Sequence, residues 1–283
     1  MRSLLKFFLL TYALTWVCFI SVVKMSHARP TVPATAILSG SLLLLGTFAP
    51  ALMALVVTAR DEGRRGLGVL LRPVIRWHVS WRWYLFAVGY LPALKLGVAP
   101  IYRLMTGVWP RLGTDPWYII VLAIIISTPV QAGEEIGWRG YALPRLASRI
   151  GFARASLLLG LIWACWHLPL FFLPGADKYG QSFPVWTLQV VALSVAITWL
   201  YAGTEGSLLL TMLMHSAVNQ TVGIVPSANL NPGNPFTLSV SLVMRLTAVL
   251  LWITAGYFLL RMRKMKGSRG EAEINDPRGA TAT

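Results

Sequence analysis

Residues 121–130, VLAIIISTPV, contain no charged side chain, and uncharged runs of this kind recur along the chain. Lipid offers a backbone amide no hydrogen-bond partner, so a segment that crosses it must close its own bonds as a helix. About 20 mainly apolar residues are needed to cross the hydrocarbon core. Segments near 4–23, 36–58, 83–106, 117–135, 155–173, 185–202, 207–226 and 240–262 fit that pattern. The predicted fold class is therefore all-α: a polytopic membrane helical bundle of about eight transmembrane helices. Composition agrees, since only 12% of the 283 residues are charged, about half the level of a soluble domain. Two of the segments are polar for their depth: 83–106 holds Pro92 and Lys95, and 207–226 holds His215, Asn219 and Gln220. Such residues are tolerated where neighbouring helices satisfy them.

An even number of spans puts both termini on one side, and the distribution of basic residues tests which side. With this layout one set of segments carries Arg2, Lys6, the cluster from Arg60 to Arg82, the four arginines from Arg139 to Arg154, and the basic stretch from Arg261 to Arg278. The opposite loops hold only Lys24, Arg29, Arg103, Arg111 and Lys178. The asymmetry predicts cytoplasmic termini. It also assigns the net charge of +15 to topology and contact with anionic lipid, which excludes nucleic acid as the partner. The first segment ends in Ser26-His27-Ala28, small enough for a signal-peptidase site, but its apolar run exceeds the length of a signal core. It is expected to be a retained helix. Residues 60–82 read as a basic cytoplasmic loop with an interfacial helix near WHVSWRWY. Residues 1–266 form one transmembrane domain with a catalytic core at about 117–226, and the polar 267–283 reads as a disordered cytoplasmic tail. The two cysteines, Cys18 and Cys165, lie in apolar runs and read as buried thiols.

Acidic residues number ten, and eight of them fall outside the apolar spans. Glu134 and Glu135 close the fourth span, in QAGEEIGWRGY (131–141), and ionisable groups at such a depth are costly unless they have a function. Glu135 and Arg139 stand at i and i+4 with the acid first, the favourable order for a helical ion pair. Glu134 points about 100° away and has Trp138 at i+4 instead of a cation. That leaves Glu134 for proton transfer. Gly133, Gly137 and Gly140 surround the pair and permit close helix approach.

Two of the four histidines lie inside spans. His167 ends LIWACWH, and His215 opens HSAVN, with Asn219 on the same helix face. Counting from the cytoplasmic side puts them roughly 18 and 12 Å deep, a level Glu134 reaches from the other direction. A carboxylate and an imidazole can activate water for attack on a carbonyl, and an imidazole and an amide can hold the oxyanion. A Glu/His/His set can also hold zinc, although no HExxH arrangement is present. Proton-relaying transport is the rival reading of the same residues, but no internal repeat relates the two halves.

These residues resemble three motifs of the CPBP family, the CAAX proteases and bacteriocin-processing enzymes also called ABI proteins. Glu134-Glu135-Ile-Gly-Trp-Arg139 fits EExxxR, Trp163-Ala-Cys-Trp-His167 fits FxxxH with Trp for the usual Phe, and His215-Ser-Ala-Val-Asn219 fits HxxxN. The resemblance implies an intramembrane endopeptidase, named in the family as a metalloprotease, that acts on a membrane-associated, CAAX-like protein or peptide. Carried over, Glu134 and His167 act as the base, His215 and Asn219 stabilise the oxyanion, and Glu135 and Arg139 support them. If a zinc ion takes part, Glu134, His167 and His215 are its ligands; a metal-free route fits the same motifs. The implied location is a bacterial inner (plasma) membrane. A scaffold or immunity protein on the same fold is the non-catalytic alternative, and the filled motifs disfavour it. Trp163 in place of Phe is expected to bear on pocket shape more than on chemistry.

Overall fold

The computed structural model describes residues 2–27, 33–227 and 233–263; the tail read as disordered, 267–283, lies outside them. The elements are α1 (Arg2–His27), α2 (Pro33–Leu71), α3 (Trp81–Thr106), α4 (Trp117–Ser127), α5 (Ala132–Glu135), α6 (Leu143–Trp166), α7 (Phe183–Gly203), α8 (Leu208–Thr221) and α9 (Leu242–Met262). A π-helix, Ile136–Ala142, joins α5 to α6. No strand occurs among the described residues. Both cysteines are free.

All eight expected segments are helical, and six of the helical stretches are long and apolar enough to cross a membrane. The protein is an integral membrane protein of polytopic helical architecture. The other two segments are shorter. At 1.5 Å per residue, the 11 residues of α4 reach about 16 Å and the 14 of α8 about 21 Å, against a hydrocarbon core of about 30 Å. Pro129 explains the first case: it has no N–H for the Ile125 carbonyl, and the chain tightens into a 3₁₀ turn, Pro129–Gln131. The helical path then resumes through α5, the π-helix and α6, so Glu134 belongs to the start of a second apolar stretch, Pro129–Phe172, and not to the end of the first. α8 runs into a 3₁₀ turn, Val222–Ile224, just before Pro226.

The segment 60–82 also differs from its reading as a loop. α2 continues to Leu71 across a kink at Gly63, where φ is 63°, a region open to glycine at little cost. Just before the kink Glu62 pairs with Arg145 of α6, and beyond it Leu70 is buried against the bundle. The true connection is a 3₁₀ turn, Arg72–Ile75, and five residues before Trp81. Three helices start on serine: Ser182, Ser207 and Ser241 each accept the amide N–H three residues on, at 3.3 Å. Each such cap stabilises by about 1 kcal/mol.

The core centres on the π-helix. Trp138, Arg139 and Tyr141 are among the largest fully buried side chains. Phe7 of α1 meets Trp138 edge-on at 5.8 Å and Tyr141 at 4.8 Å, and Trp138 meets Trp166 at 5.8 Å. α1 is hydrogen-bonded into the bundle: Thr15 Oγ1 accepts the Trp166 indole N–H at 2.8 Å and donates to the Gly46 carbonyl at 2.8 Å. Glycine lets α2 approach the acidic motif. A Cβ on Gly137 would lie 2.5 Å from Pro50, and one on Gly133 would lie 2.9 Å from the Phe48 ring. The outward faces carry Leu5, Ile37, Leu104, Ile125, Ile253 and Leu260, all strongly exposed, as a lipid-facing surface requires.

Candidate active site

Glu134 and Glu135 lie on α5 and are both buried, Glu135 completely. The ion pair read from the i, i+4 spacing is present: Arg139 Nη1 donates to Glu135 Oε1 at 2.9 Å, with both side chains fully buried. Glu135 has a second partner that sequence spacing gave no means of seeing. His215 Nδ1 donates to the same Oε1 at 2.8 Å, from α8, 80 residues away. One carboxylate therefore fixes an arginine on its own helix and an imidazole on another. Glu135 Oε2 and Arg139 Nε and Nη2 have no hydrogen-bond partner among the described residues.

Glu134 also meets a tryptophan, but a different one from that expected. Trp138 faces away, its ring occupied by Phe7 and Trp166. The tryptophan against Glu134 is Trp163 of α6, whose indole N–H donates to Glu134 Oε2 at 2.7 Å, with both residues buried. Trp163 is the hub of the site. The guanidinium carbon of Arg139 lies over its ring, 4.4 Å from the centroid, a cation–π geometry. The ring of His215 meets it edge-on at 5.2 Å. Its backbone carbonyl accepts from His167 Nδ1 at 2.9 Å.

His167 caps the C-terminus of α6 and is buried. A carbonyl can only accept, so the proton of this imidazole sits on Nδ1 and Nε2 is left with its lone pair. Trp166 and Trp186 meet the ring edge-on at 4.6 and 5.1 Å. This aromatic frame fixes the ring while leaving Nε2 as its acceptor.

Five of the six site residues read from the sequence thus meet around Trp163: Glu134, Glu135, Arg139, His167 and His215. Asn219 is set apart. It follows His215 by one turn of α8 but is exposed, and it makes no hydrogen bond among the described residues. A polar clamp missed in the sequence holds α8 against α4. Ser216 Oγ donates to the Ile124 carbonyl at 2.8 Å and lies 2.6 Å from Ser127 Oγ, to which Gln220 Nε2 donates at 3.3 Å. Serines in an apolar run were its one available signal. Lys95, the other buried ion, donates to the Val225 carbonyl at 3.1 Å.

Among the described residues no three His, Cys, Asp or Glu side chains are grouped to hold a metal ion. The Glu134 carboxylate is turned toward an indole N–H, and both imidazoles are engaged at Nδ1, which leaves each Nε2 open. What the arrangement offers is a buried carboxylate, one imidazole lone pair and one carboxylate-anchored imidazole, all touching a single indole.

Residues 114–221 match the family model described as type II CAAX prenyl endopeptidase, Rce1-like. Over 114 residues the chain is 35% identical to the CAAX prenyl protease 2 of Methanococcus maripaludis, covering 38% of this chain and 40% of that protein. The chain therefore matches less than half the length of this curated relative. The family resemblance carried by the three motifs is borne out across this segment, which contains every candidate site residue.

Proposed function

We propose that this chain is an intramembrane endopeptidase that hydrolyses a peptide bond of a membrane-associated, CAAX-like protein or peptide at the level of the cytoplasmic leaflet. The observation that carries the reading is the buried Glu134 carboxylate held at 2.7 Å by Trp163, on the same indole that touches His167 and His215. The similarity to a prenyl endopeptidase over residues 114–221 supports the same chemistry. The charge asymmetry supports a site reached from the cytoplasm.

In this mechanism Glu134 takes a proton from a water molecule, with the Nε2 lone pair of His167 as the second acceptor that aligns it. The resulting hydroxide attacks the scissile carbonyl carbon. His215, anchored at Nδ1 by Glu135, donates from Nε2 in its doubly protonated form to the developing oxyanion, and the Asn219 amide adds a second donor once substrate is bound. Collapse of the tetrahedral intermediate breaks the C–N bond, and the proton held by Glu134 passes to the leaving amine. No step is routed through a metal.

The test is Glu134→Gln, assayed with a membrane-tethered peptide in vesicles. The variant inserts normally and loses cleavage by about 10³-fold or more. Wild-type turnover in the purified variant would remove the assignment.

A further inference from the structure

Trp163 stands where the resembling motif has phenylalanine, and the exchange adds a hydrogen-bond donor. Phenylalanine keeps an aromatic ring there, smaller than the indole, but has no N–H. The added donor is spent on Glu134, at 2.7 Å and out of contact with water. A hydrogen bond to a carboxylate is charge-assisted and roughly twice as strong as a neutral one. The Arg139 guanidinium over the ring, at 4.4 Å, draws electron density toward the ring face and makes the N–H a better donor. The same residue turns His167 through its carbonyl. Nothing else donates to Glu134 among the described residues. Its i+4 neighbour Trp138 points its ring to α1 and α6, so without Trp163 the carboxylate is free to change rotamer.

From this geometry we infer that Trp163 is the positioning residue of the proposed base: its indole N–H fixes Oε2 of Glu134 and thereby leaves Oε1 to take the proton from water. The inference rests on the proposed peptidase reading, which gives Glu134 its role. Where the sequence gives Trp163 a bearing on pocket shape more than on chemistry, on this inference it takes a part in the chemistry.

Trp163→Phe in the full chain, reconstituted in vesicles, removes the N–H and keeps the ring. With a membrane-tethered peptide, kcat falls by about tenfold or more while KM stays within about twofold. A rise in KM with kcat unchanged would make Trp163 a wall of the substrate pocket and overturn the inference, as would unchanged kcat and KM. A second measurement is independent of turnover. In protein labelled with ¹⁵N at the indoles, the Trp163 N–H resonance, identified by its loss in Trp163→Phe or Trp163→Tyr, lies downfield and moves upfield in Glu134→Gln as the acceptor loses its charge. An unmoved resonance would overturn the inference whatever the kinetics. A resonance that moves while Glu134→Gln still cleaves would leave the hydrogen bond standing and refute Glu134 as the base instead.

Discussion

The two histidines of the site are held in opposite ways. His215 is anchored across helices by a carboxylate, at 2.8 Å from Glu135 Oε1. His167 is anchored within its own helix by a backbone carbonyl, at 2.9 Å from Trp163. A carboxylate stabilises the imidazolium and suits a residue that must donate to a developing negative charge. A carbonyl fixes the tautomer and favours a positive charge less than a carboxylate does, and suits a residue that must accept a hydrogen bond from water. The adjacent glutamates divide the same way. Glu135 is spent on two cations or potential cations, and Glu134 meets only a neutral N–H. On the proposed peptidase reading, the difference matches acid-side and base-side roles on grounds of local chemistry.

Four experiments would break or sharpen that division. The largest effect falls on the base side, where Glu134→Gln removes proton acceptance and the rate drops by about 10³-fold or more, with the melting temperature nearly unchanged. On the other side, Glu135→Gln leaves Arg139 buried without its ion pair. Breaking a buried pair costs about 3–5 kcal/mol, so thermal unfolding in detergent falls markedly, and activity drops by about ten- to a hundredfold as His215 loses its anchor. If Glu135→Gln were as dead as Glu134→Gln yet fully stable, the two carboxylates would share one role. Asn219→Ala comes next. The residue is exposed and one turn from His215, so stability is unaffected and kcat falls by about tenfold, below the usual cost of an oxyanion donor; no change would leave His215 alone on the acid side. The smallest effect belongs to chelation. Because the donors are not grouped for a metal, activity measured after extended EDTA treatment stays within about twofold of the untreated enzyme. Loss with EDTA and recovery with zinc would join the two sides through a common ion.

Much of this was legible in the residues themselves. Apolar runs gave the helices, because lipid leaves the backbone no alternative. The spacing of Glu135 and Arg139 gave the ion pair, because i, i+4 neighbours share a face whatever the tertiary fold. What escaped were the consequences of packing between distant segments. The Glu135–His215 bond joins residues 80 apart, and no local period encodes it. The choice between Trp138 and Trp163 as the partner of Glu134 depends on which way the π-helix turns its side chains, and Pro129 and Gly151 redirect the chain on either side of it. The length of α4 was misjudged for a related reason: hydropathy runs smoothly through Pro129, while the hydrogen-bond ladder does not.

The brevity of α4 and α8 bears on the lipid as well as the protein. Helices of about 16 and 21 Å beside neighbours of 21 residues or more create a hydrophobic mismatch along one flank. A bilayer of ordinary thickness meets it by thinning or by drawing headgroups and water inward, at a cost of a fraction of a kcal/mol per ångström. The lipid-facing helix of that flank is α4, which packs on α8, the helix that carries His215. On the proposed peptidase reading, acyl-chain length becomes a variable of the reaction: short-chain bilayers relax the mismatch, long-chain bilayers enlarge it, and membrane composition bears on the path by which a polar peptide reaches the site.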